Sequence, residues 1–92
     1  MTTLHMDVGV ARSTERTLRN TADNINSMLS QASQAVSQLE GGAWQGNAAM
    51  EFYGRFGEWK NRVQQLIQEL ESLSHALGQE ISQWETTAGK LG

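Results

Sequence analysis

The chain contains no cysteine and no proline. Without cysteine, neither a disulfide nor a thiolate-bound metal can reinforce the fold, so its stability has to come from packing. Without proline, glycine is the main residue left to interrupt a helix. Charge is sparse too: seven Lys and Arg stand against ten Asp and Glu, for a net charge of -3. No basic tract is present, so nucleic-acid binding, which needs phosphate-neutralising side chains, is not expected. No apolar run reaches the length of about 18 residues that suggests a membrane span. Met1 to Val10, MTTLHMDVGV, lacks the basic start and apolar core of a secretory signal peptide, so any export is expected to use another route. His5 and His75 have no His or Cys neighbour at ligand spacing, so neither a metal nor a cofactor is expected. At 92 residues the chain has room for one small domain.

What the sequence does have is one glycine pair, Gly41-Gly42, close to its midpoint, flanked by two long periodic segments. Before the pair, Ala11, Thr14, Leu18, Ala22, Ile25, Leu29, Ala32, Val36 and Leu39 recur at alternating steps of three and four. This is the seam of a helix that packs lengthwise on another. After the pair, Phe52, Phe56, Trp59, Val63, Leu66, Leu70, Leu73, Leu77, Trp84, Ala88 and Leu91 keep the same alternation, broken only at Glu80, where Ile81 is expected to supply the contact. The pattern predicts an all-α protein. Its single domain, 1–92, is an antiparallel two-helix hairpin with helix 1 over about 7–40, a turn over 41–46 and helix 2 over about 47–88. Asp7 is the expected N-cap, and Gly41 or Gly42 the left-handed residue that closes helix 1.

Gly54, Gly57 and Gly78 fall inside helix 2, each at a cost of about 1 kcal/mol relative to alanine. Close approach of the two helices, with aromatic side chains filling the flanks, would explain the first two. A lone helix pair of this size buries little apolar surface, so two hairpins are expected to dimerise into a four-helix bundle. Leu18, Ile25, Leu29, Val36, Phe52, Phe56, Trp59, Val63, Leu66, Leu70 and Leu73 are the expected core of hairpin and dimer. A narrow helical rod has no concave pocket, and Ser74-His75 diverge around the helix, so enzymatic activity is not expected.

The turn reads Gly41-Gly42-Ala43-Trp44-Gln45-Gly46. Tryptophan is costly at a hairpin tip, where there is little core to cover it. It either folds back as a plug or meets a partner. A Trp-x-Gly turn between two heptad helices, in a chain of this length, resembles the WXG family of early-secreted-antigen-like substrates of type VII secretion systems. The resemblance spans the chain and implies a dimeric helical hairpin without enzymatic activity, secreted from the cytoplasm with no cleaved signal peptide. It also implies the partners: a second copy or a WXG paralogue, the secretion ATPase, and in some cases a larger toxin. The alternative is a helical chaperone or targeting partner of such a toxin or paralogue that is not itself secreted.

Relatives of this kind carry a motif near the end of helix 2, an aromatic followed four residues later by an acid, which acts beside the partner's W-x-G turn. The corresponding stretch here, Trp84-Glu85-Thr86-Thr87-Ala88, has the aromatic and lacks the acid. Ile81 and Glu85 have the spacing with an aliphatic in the aromatic place. The resemblance therefore makes Trp44, Gly46, Trp84, Glu85 and Ile81 the candidate secretion and recognition residues.

Overall fold

The computed structural model describes residues 5–91, and side chains as far as Thr87. Helix α1 runs Val8–Gln38 and helix α2 runs Asn47–Leu91, joined by one widened π-type turn at Leu39–Ala43; no strand occurs among the described residues. The two helices pack as an extended antiparallel hairpin, a rod 68 Å long and 22 by 16 Å across. Asp7 caps α1 as the sequence suggests, its carboxylate accepting from the Val10 amide at 3.1 Å.

On α1 the contact row follows the expected spacing at Ala11, Leu18, Ala22, Ile25, Leu29, Ala32, Val36 and Leu39, all buried or half-buried. Thr14 departs from it. That residue is exposed and its hydroxyl donates to the Val10 carbonyl at 2.9 Å, while Glu15 holds the seam position with its side chain 17% exposed. The Glu15 carboxylate is matched there by Arg19 one turn on, and its backbone carbonyl accepts from the buried Ser74 hydroxyl at 3.2 Å.

Helix α2 differs more. The row facing α1 is Ala49, Tyr53, Phe56, Lys60, Val63, Ile67, Leu70, Ser74, Leu77, Ile81 and Trp84, every member buried or half-buried. Phe52, Trp59, Leu66 and Leu73, read from the sequence as part of the same seam, lie one step round the helix and are 40–57% exposed. Trp59 is therefore no part of the hairpin's own core, although a large aromatic at helical spacing is usually packed. The central cluster of the core is Ala22, Leu29 and Ile67, with Ile25, Val63 and Leu70 against them, and Ala49 and Ile81 are buried toward the two ends. Small Ala22 lets the helices approach at that level, and the longer aliphatic residues interlock around it.

Glycines 54 and 57 do not mediate close approach, because a Cβ at either would meet nothing within 4 Å. The close approach is at Gly78, where a Cβ would lie 3.1 Å from a Glu15 carboxylate oxygen. Glycine there makes room for an acid inside the seam.

Candidate functional site

The hairpin tip is built by backbone geometry that only glycine takes up readily. Gly42 has φ 131° and turns the chain out of α1, and Gly46 has φ 120° and turns it into α2. Between them Trp44 is extended, its amide bonded to the Leu39 carbonyl at 3.1 Å, and the Gly46 carbonyl accepts from Met50 at 3.0 Å as the first bond of α2. The Trp-x-Gly segment is thus a fixed arch.

The Trp44 ring neither plugs the hairpin nor projects freely. It lies on the first two turns of α2, with its centroid 5.6 Å from Phe52 and 6.0 Å, edge to face, from Tyr53, and the residue stays 39% exposed. Phe52 and Tyr53 meet edge to face at 6.0 Å and close a three-ring cluster. Such tilted contacts set the positive edge of one ring against the negative face of the next.

Tyr53 is the residue that sequence reasoning missed at this site. Its hydroxyl donates to the Trp44 carbonyl at 2.7 Å, tying the arch to α2. The signal was the chain's one tyrosine, two turns into a helix that starts at the arch. Desolvation, and then the nearby Glu40 carboxylate, push its phenol above the ordinary value. A raised phenol pKa means that the folded state favours the neutral form. The stability linked to it is therefore complete below the unfolded value of about 10 and is lost as pH rises through the folded value. Tyr53→Phe keeps the ring and removes the bond. With Trp59 and Trp84 changed to Phe so that Trp44 alone reports, this variant should show weaker near-ultraviolet dichroism and lower fluorescence anisotropy at neutral pH. The tyrosine form should converge on that signal only when the phenol ionises. Identical signals at neutral pH would show that the bond does not hold the arch.

The helix 2 residues singled out from the sequence stand at the opposite end of the rod, where Val8 begins α1. Trp84 is half-buried on the row facing α1, and Glu85 is exposed and ion-paired with Arg12 of α1. Ile81 is 1% exposed. It is taken up by the seam and has no surface to offer. The side chain of Ala88, where an acid would complete the motif, lies outside the described residues. Within one chain the Trp44 arch and the Trp84 region are separated by most of the rod and cannot form a joint surface.

A shallow groove of about 840 Å³ runs between the helices past Arg12, Glu15, Arg19 and His75, with both arginines engaged in ion pairs. Among the described residues no group of three His, Asp or Glu side chains converges as a metal site, and no helix is long and apolar enough to cross a membrane.

Comparison with known proteins agrees with the arch and the hairpin. The family model WXG100, described as proteins of 100 residues with WXG, matches residues 3–88. No curated protein and no solved structure matches the chain. WXG100 proteins are the substrate family of type VII secretion, helical and non-enzymatic, and they typically pair with WXG partners. With a Trp-x-Gly arch between two long antiparallel helices and a family match over nearly its whole length, the chain belongs to the WXG100 family.

Proposed function

We propose that this chain is a small non-enzymatic adaptor or effector that leaves the producing cell through a type VII system as a dimer. The Trp44-Gln45-Gly46 arch of one subunit and the Trp84-Glu85 region of the other form the surface read by the secretion ATPase. The observation that carries this reading is the state of Trp44: locked by Tyr53 and two glycines, yet more than a third exposed on the tip. A tip tryptophan held in this way is already ordered before it meets a partner, which lowers the entropic cost of binding.

Missing the acid and with Ile81 buried, the helix 2 end is a weakened version of the motif, which favours a second reading. In it the chain travels on the signal of a WXG paralogue or of a larger toxin and serves as a targeting partner. Export assayed in the producing cell, with and without the secretion ATPase, tests the first reading. Extracellular chain is expected only with the ATPase, and Ala88→Asp, which places an acid one turn from Trp84, should raise its amount. Export that ignores Ala88→Asp and disappears with a co-encoded partner would assign the signal to that partner. Export unaffected by loss of the ATPase would overturn both readings.

A further inference from the structure

Arg12, Glu15, Arg19 and Glu85, toward the open end of the rod, are joined in two ion pairs, and their positions decide how they are shared. Glu15 stands three residues after Arg12 and four before Arg19, so on α1 alone either arginine could take it. Arg19 does. The Glu15 carboxylate is turned into the seam, toward the space left at Gly78, and Arg12 reaches across to Glu85 of α2. Glu85 has no such choice on its own helix. The positions three and four residues away are Ser82, Ile81, Ala88 and Gly89, none of them basic. Its direction is therefore set by α1, from 73 residues away in the sequence.

Stability does not account for this contact. The side chains are 53% exposed at Arg12 and 45% at Glu85, and an ion pair in that setting adds little to folding. What it fixes is the place of a carboxylate. Ala11 and Trp84, each one residue before a member of the pair, are half-buried on the seam, so the pair closes the flank of the layer to which Trp84 belongs. Arg12 engages one carboxylate oxygen, Oε1, which leaves Oε2 for a donor from outside the chain.

We propose that Arg12 is the positioning residue of the export surface. It holds Glu85 beside Trp84 as the acid that position 88 lacks, so the surface is assembled from both helices and cannot be read from the end of α2 alone. The proposal rests on the export reading above and names the acid of that site and the residue that places it. The external group it fits is a hydrogen-bond donor of the secretion ATPase, a basic side chain or a backbone amide.

Binding of the purified full chain to the purified ATPase tests this, with melting and helicity followed in parallel. Arg12→Ala and Glu85→Ala should each weaken binding about tenfold and leave the hairpin folded. Combining them should weaken it no further, because Arg12 acts through Glu85. Arg12→Lys keeps a cation at the site and should retain most of the affinity. Arg12→Glu combined with Glu85→Arg rebuilds an ion pair across the same gap and should melt like the wild type, yet binding should stay lost, since the acid then stands on the other helix. Recovery of binding by this exchange would make the pair a clamp of the open end, and a double alanine variant weaker than either single one would make Arg12 a contact in its own right. Tighter binding on removal of Arg12 would show that the pair masks Glu85. Each of these results overturns the positioning role. If all these variants bind like the wild type while Trp44→Ala does not, this proposal falls and the export reading stands. A wild-type chain that does not bind the ATPase overturns the export reading, and the role of this site with it.

Discussion

Trp44→Ala should abolish export while leaving a folded hairpin. Removing a fully buried tryptophan costs about 3–5 kcal/mol, but this residue is 39% exposed and its ring packs on Phe52 and Tyr53 at the tip, so a loss of about 1–2 kcal/mol is expected. None of the central contacts among Ala22, Leu29 and Ile67 depends on it. Helicity by circular dichroism should match the wild type, and self-association should hold. Binding to the secretion ATPase, measured with purified components, should fall at least tenfold, and the extracellular chain should disappear. A melting temperature that collapses together with binding would make Trp44 a structural plug and remove the recognition role. Wild-type export by the variant would remove it as well.

The second large effect is expected at the other end of the rod and is of the opposite kind. Ile81 is 1% exposed and is the largest fully buried side chain among the described residues, so Ile81→Ala should cost about 2–4 kcal/mol through lost burial and the cavity left behind. In a chain this small that is a large share of the total stability, and thermal melting should show it as a drop of well over ten degrees. Export would fall too, but through unfolding. Ile81→Val keeps most of the packing and separates the causes: if Ile81 serves only the seam, export by the valine variant should follow its small loss of stability. Export lost from a valine variant that melts like the wild type would put Ile81 back into the recognition surface.

The two helices were legible in the sequence because their apolar periodicity is long and uninterrupted by proline. The α1 seam was legible nearly residue by residue; the slip from Thr14 to Glu15 arose because a threonine fits an apolar count better than an acid does. Only the structure shows the acid accommodated, with Arg19 beside it and Gly78 opposite. On α2 the apolar count favoured the row with Phe52, Trp59, Leu66 and Leu73 over the row with Lys60 and Ser74. The hairpin uses the second. Ser74 can sit there because its hydroxyl finds the Glu15 carbonyl, and Lys60 because its long stem can pack while the ammonium reaches water. Periodicity measures how apolar a face is and does not say which neighbour covers it. The arch was legible as Trp-x-Gly between helices, whereas the Tyr53 hydroxyl bond was not, since a side chain to backbone bond across nine residues leaves no repeat to read.

The polar stretch of the seam near Val8 has a mechanical consequence. Glu15, Ser74 and Gly78 occupy positions that aliphatic residues fill around Leu29 and Ile67, and the two helix ends emerge together beside that stretch. Tension applied across those ends would load the contacts one layer at a time, as in unzipping, beginning with the layer that holds Ile81 and the Arg12–Glu85 ion pair and passing next to the polar one. The aliphatic middle would yield next and the glycine arch last. A rod loaded in shear, with its ends at opposite poles, would have to break all its layers at once. The same contacts therefore resist shear along the rod more than traction from its open end.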